Sequence, residues 1–230
     1  MLGTYLLVFL GPGAVVTASL LGLSSVERLL FVAAVFGGTV ASVILALGRF
    51  SGAHINPAIT VGSTLAGLLK RELFLPYLLF QVTGALLAGL SLKLTFGALG
   101  SSTNLGSTEL AAGMTPIEGV ALEVAGTFFL AMAALIAASS LRNPVEQALL
   151  VGITLFVLIL FIGPLTGASF NPARSLGPSL FSGDLSGQLV YYIGPVAGAA
   201  SAGLVFGALG RPNGQRKENN KQKLNLVCVC

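Results

Sequence analysis

Long stretches of this chain contain no Asp, Glu, Lys or Arg, notably 1–26, 29–48, 73–92, 124–141, 147–173 and 185–210. Each is near or above the roughly 20 residues a helix needs to cross the hydrocarbon core of a bilayer. At 54% hydrophobic and 9% charged, the 230 residues carry more apolar surface than a soluble core could hide, so lipid is the solvent for most of them. Period-2 alternation is absent, which argues against a spanning barrel and leaves the helix as the backbone that satisfies its own hydrogen bonds in lipid. Spans are predicted near 2–23, 29–48, 75–96, 117–139, 148–165 and 188–208, giving an all-α membrane protein. Met1 to Tyr5 carry no charge, so the first stretch lacks the basic start of a cleaved signal and is expected to be a retained helix.

The basic residues are unevenly placed. With six spans and both termini on one side, Arg49, Lys70, Arg71, Arg142, Arg211, Arg216, Lys217, Lys221 and Lys223 share that side, nine of the twelve. Basic loops favour the cytoplasm, so both termini are expected there, in a cell (plasma) membrane protein. The net charge of +4 follows from this bias, and no basic face remains for nucleic acid. The tail, 211–230, is expected to be basic, disordered and cytoplasmic. It holds the two cysteines of the chain, Cys228 and Cys230, so no disulfide framework is indicated and the thiols are left free or lipidated.

The chain repeats itself. Gly52-Ala53-His54-Ile55-Asn56-Pro57-Ala58 aligns with Gly167-Ala168-Ser169-Phe170-Asn171-Pro172-Ala173 at an offset of 115. Gly84 and Gly89 match Gly198 and Gly203 at 114, and Gly3-Thr4-Tyr5 matches Gly126-Thr127-Phe128 at 123. These are two repeats, about 1–96 and 117–210, within one transmembrane domain spanning 1–210, with the seam in 97–116. Three spans per repeat is an odd number, so the halves enter the membrane from opposite sides. Inverted repeats with Gly/Pro-interrupted apolar segments place a pathway at the midplane between the halves.

After Asn56, residues 57–68 make about 12 helical positions, roughly 18 Å at 1.5 Å per residue, too short to span. Asn at the N-cap and Pro at N1 form a helix start, and Asn171-Pro172-Ala173 opens a second short helix before Ser182-Gly183-Asp184. Two such half-helices dipping in from opposite faces bring their positive dipole ends to one spot, which repels cations. The Asn56 and Asn171 amides can donate to a passing oxygen and turn each water so that its neighbours cannot complete a proton wire. The carbonyls of Gly52, Ala53, His54, Gly167, Ala168 and Ser169 would supply acceptors along the same path, because irregular backbone at membrane depth is tolerated where it lines water. His54 has no second His and no thiol outside the tail to share a metal, so it is read as a hydrogen-bonded structural residue, and no metal or cofactor is expected.

With these two motifs the chain resembles the aquaporin (major intrinsic protein) family from Gly3 to about Gly210. Ser51-Gly52-Ala53-His54-Ile55-Asn56-Pro57-Ala58-Ile59-Thr60 and Gly167-Ala168-Ser169-Phe170-Asn171-Pro172-Ala173-Arg174-Ser175 form a highly specific pair. The resemblance implies six spanning helices plus two re-entrant half-helices, a channel for water and small neutral solutes that excludes ions and protons, and a homotetramer in the bilayer. It also implies a selectivity filter which, counted from Asn56 and Asn171, falls on Phe36, Ile159, Ala168 and Arg174. Arg174 stands out without the family, because a guanidinium next to a long uncharged stretch is costly unless it faces a pathway. Ile159 stands where a strict water channel has His, and Ser175 where a glycerol channel typically has Asp. The filter looks like the intermediate ones of archaeal and microbial members, which leaves glycerol, hydrogen sulfide and other small neutral solutes open beside water. Glu123, three residues before Gly126-Thr127, matches a buried Glu that receives backbone N–H groups of a half-helix loop. Its first-half counterpart would fall just before Met1, so either the start is truncated or one support is missing.

Rival readings lack the residues they need. A secondary transporter couples to ions through buried carboxylates, and Glu123 is the single candidate. A small-anion channel of similar architecture lacks the paired Asn-Pro-Ala. An intramembrane enzyme needs a nucleophile with a base or a metal cluster, so no enzyme activity is expected.

Overall fold

The computed structural model describes residues 1–209; the tail 211–230 with Cys228 and Cys230 lies outside the described residues. Among the described residues eight α-helices follow one another: α1 Leu2–Leu20, α2 Ser25–Ser51, α3 Pro57–Leu65, α4 Arg71–Phe96, α5 Pro116–Ser140, α6 Pro144–Thr166, α7 Pro172–Ser182 and α8 Val190–Leu209. Six are long and apolar enough to cross a membrane; α3 and α7, with 9 and 11 residues, are not. A 3-10 stretch, Gly97–Gly106, opens the connection between the halves.

Four of the spans, α2, α4, α5 and α6, begin earlier than their apolar stretches. α2 starts at Ser25 because Ser24 caps it, accepting from the Glu27 N–H while Glu27 bonds back to the Ser24 N–H, so the helix runs through a charged first turn. α6 starts at Pro144 behind Asn143, whose side chain accepts from the Val145 N–H. α3 is shorter than the dozen residues expected, because Gly67 takes φ +68 and its N–H turns to the Thr64 carbonyl.

The packing shows the duplication. α1 lies on α2 and α4 as α5 lies on α6 and α8, and α2 meets α6 at the centre. Each half-helix packs on the last helix of the other half: α3 on α8, α7 on α4. The absence of side chains permits these approaches. A Cβ at Gly62 would sit 2.6 Å from the Ala199 carbonyl oxygen, and one at Gly177 2.4 Å from that of Ala85, the matching residues of the two repeats. At the centre, Gly37 and Gly152 face one another: a Cβ on either would come within 2.7 Å of the other's carbonyl oxygen. The two halves are thus interlocked rather than side by side, which brings both Asn-Pro starts to the middle of the molecule.

Candidate functional site

Asn56 and Asn171 cap α3 and α7 and tie them together. Asn56 Oδ1 accepts from the N–H groups of Ala58 (2.9 Å) and Ile59 (3.4 Å), and Asn171 Oδ1 from those of Ala173 (3.0 Å) and Arg174 (3.4 Å). Their amide nitrogens cross over: Asn56 Nδ2 donates to the Phe170 carbonyl at 2.8 Å and Asn171 Nδ2 to the Ile55 carbonyl at 3.1 Å. An NH2 group has two hydrogens, so each amide keeps one donor after this lock is made. Both groups border a cavity of about 140 Å³. Pro57, Ala58, Pro172 and Ala173 are buried or half-buried behind them as the first turns of the two half-helices.

The cavity has two unlike walls. One is apolar, with Val40, Ile44, Val151 and Leu155 from α2 and α6; the other is polar, with Gly52, Ala53, His54, Asn56, Ser169, Asn171 and Arg174. Phe36 and Ala168 also line it. Gly167 and Ile159 do not border it; Ile159, 4% exposed, packs in the same apolar cluster as Phe36 and Ala168. The polar wall consists of two irregular loops of matching shape. Ala53 (φ 49) and Ala168 (φ 46) are left-handed at equivalent positions, and Phe170 (φ 52) is left-handed too. Such conformations cost roughly 1–2 kcal/mol each for residues with a side chain, so something must hold them.

The second loop is held by Glu123. Fully buried, its Oε1 accepts from Thr166 Oγ1 (2.7 Å) and the Ser169 N–H (2.9 Å), and its Oε2 from the Phe170 N–H (2.8 Å). The first loop is held by Gln81 of α4, which sequence reasoning missed. Its Nε2 donates to the His54 carbonyl and to Thr60 Oγ1, both at 2.9 Å. The His54 ring bonds Thr60 Oγ1 through Nδ1 at 3.2 Å and packs on Tyr77. Thus one of the expected acceptors, the His54 carbonyl, already carries a protein donor. A buried amide inside an uncharged span was the signal available for Gln81.

Arg174 is 3% exposed, and its Nη1 donates to the Gly106 carbonyl at 2.8 Å. Its guanidinium lies 4.9 Å from the centre of the Phe36 ring. Ser175 links Thr108 and Ser169 through hydroxyl contacts of 2.8 and 2.6 Å, so with the Arg174–Gly106 bond the seam segment is fastened to α7 at two points. Nothing in the sequence signalled Gly106 or Thr108. Among the described residues no cluster of three His, Cys, Asp or Glu could hold a metal.

A model of the major intrinsic protein family matches residues 1–206. This chain belongs to that family. As a major intrinsic protein it is an integral membrane protein of a channel family. It is 37% identical over 213 residues to aquaporin NIP1-2 of Oryza sativa subsp. japonica, covering 90% of this chain and 69% of the relative. To AqpM of Archaeoglobus fulgidus it is 32% identical over 231 residues, covering 91% and 94%. Its fold matches the X-ray structure of the aquaglyceroporin from Plasmodium falciparum with a TM-score of 0.77 at 22% identity, covering 90% and 91% of the two chains.

Proposed function

We propose that the chain is a passive channel for water and small neutral solutes that excludes ions and protons, with water as its main substrate. The observation that carries this reading is the crossed pair of asparagines at the meeting helix starts, each with one amide hydrogen left beside the cavity. Two helix N-termini and the Arg174 guanidinium put positive potential on one short path, which disfavours cations. The apolar wall opposite leaves a passing water no other partners, so its orientation is set by the amides. In this reading Phe36, Ala168 and Arg174 border the path as the filter, and Ile159, packed in the cluster with Phe36 and Ala168 and without a donor, leaves it less polar than a strict water filter. The names of the relatives, aquaporin among them, support the same assignment.

An ion-coupled transporter is disfavoured by Glu123: among the described residues it is the one buried carboxylate, and three donors already occupy it. We further propose a homotetramer in the plasma membrane with both termini cytoplasmic. The open groove along α1 and α2, lined by Leu6, Leu10, Gly38 and Ser42 among others, supports a neighbouring subunit there. Purified protein in liposomes, shrunk by an impermeant osmolyte in stopped-flow light scattering, tests the reading. Acceleration over protein-free vesicles with no proton current is expected; no acceleration, or a proton current, overturns it.

A further inference from the structure

We propose that Gly11 and Pro12 of α1, neither of which lines the cavity, set the aperture between Phe36 and Arg174 and so the size of solute admitted. The proposal deepens the channel reading and rests on it. Both residues are buried; Gly11 lies against the Phe36 ring, and Pro12 against Gly106, whose carbonyl holds Arg174. A Cβ at Gly11 would lie 2.2, 2.3 and 2.7 Å from Cε1, Cζ and Cδ1 of Phe36, so the ring occupies the space a side chain would take. Pro12 does the same for the other wall through the seam. A Cβ on Gly106, which is left-handed at φ +75, would fall 2.3 Å from the Pro12 carbonyl oxygen, so the two backbones touch. The Gly106 carbonyl is the acceptor that aims Arg174.

The Phe36 ring is therefore bounded by Gly11 on one side and by the cavity on another, with the Arg174 guanidinium 4.9 Å from its centre. Phe36 is 4% exposed, so its remaining sides meet packed neighbours. Val40 and Ile159 are buried with the ring in one cluster. A methyl added at position 11 must drive the ring into the cavity it borders, narrowing the path beside Arg174. Gly11 and Pro12 act through other residues and are positioning residues; neither touches the solute.

The test compares wild type, Gly11→Ala, Phe36→Ala, the double variant, and Gly207→Ala as a control, since a Cβ at Gly207 would meet no atom closer than 3.8 Å and the residue borders neither the cavity nor the groove. Water and glycerol permeabilities are measured in liposomes, and the Phe36 ring is located in a crystal structure of Gly11→Ala. One methyl of lost width is expected to lower glycerol flux by about tenfold and water flux by about twofold. With Phe36 already Ala, Gly11→Ala is expected to change neither flux, because no ring remains to be displaced. A ring found in its original place, equal losses for both solutes, or the same loss in the Phe36→Ala background overturns the proposal. A wild type that accelerates neither solute refutes the channel reading instead, and the ring position then still decides whether Gly11 seats it.

Discussion

Replacing Glu123 by Gln keeps the shape of the side chain and removes one acceptor and one charge. The carboxylate now takes three donors, two on Oε1 and one on Oε2. A Gln amide keeps its oxygen best where two donors converge, at Thr166 and Ser169, which turns its NH2 toward the Phe170 N–H. One charge-assisted bond is lost and two donors face each other in a dry site. Bonds to charged groups contribute about 1.5–3 kcal/mol and an unsatisfied buried donor costs about 1–3, so a loss of about 3–5 kcal/mol is expected. The same change removes the negative charge that interacts with the buried Arg174.

The loss falls on a loop already held against its own preference, with Ala168 at φ 46 and Phe170 at φ 52. Released, the Phe170 carbonyl moves off Asn56, and the asparagine lock opens with it. A thermal melt in detergent should fall by about 10 °C for a chain of this size, and water permeability should drop with it. Glu123→Asp, which keeps the charge on a shorter stem, should lose stability but retain more flux than Gln. A Gln variant with unchanged melting and unchanged flux would refute the idea that Glu123 holds the loop.

Asn171→Asp retains the helix cap but sets a carboxylate oxygen against the Ile55 carbonyl that Nδ2 now binds at 3.1 Å. The repulsion costs about 1–3 kcal/mol, so water flux should fall about tenfold, and a proton leak read with a pH-sensitive dye in vesicles should appear. Arg174→Val should raise glycerol flux relative to water and admit protons; unchanged ratios in the same vesicles would remove Arg174 from the filter. Gly62→Ala and Gly177→Ala should each destabilise by about 1–3 kcal/mol through overpacking against Ala199 and Ala85, and by similar amounts because the contacts are repeat-related. Melting of the two variants side by side checks this, with Gly207→Ala, whose Cβ would meet no atom closer than 3.8 Å, as the harmless comparison.

The spans, the halves and the two short helices were legible because each leaves a local signature: an uncharged run, a matched motif, an Asn followed by Pro. Helix ends were less so. Charge ends an apolar run but not a helix, and the Ser24–Glu27 capping box carries α2 four residues past the start its hydropathy suggested. The supports of the loops lay further out of reach. Gln81 acts on His54 from 27 residues away and Arg174 on Gly106 from 68, and no short-range pattern encodes such a pairing. Gly11 was likewise silent, since a glycine in a spanning helix reads as a packing residue until the ring against it is seen.

The duplication itself explains why the proposed filter would sit on one side of the asparagines. Elements that fold the molecule come in pairs: the caps of Asn56 and Asn171, the crossed bonds, and the Gly62 and Gly177 contacts. Elements that would choose the solute do not. At the repeat offset of 115, Arg174 corresponds to Ile59, Ser169 to His54 and Phe170 to Ile55. The loop anchors also differ, a carboxylate taking three donors in one half and an amide giving two bonds in the other. A second guanidinium at position 59 would have needed a second acceptor like Gly106, and Gly106 lies in the seam that joins the halves and so occurs once. A filter built on the seam can therefore charge only one half of the path. Ile59, at the position that matches Arg174, borders the same cavity without a charge, so the first repeat adds no ionic partner there for a passing ion.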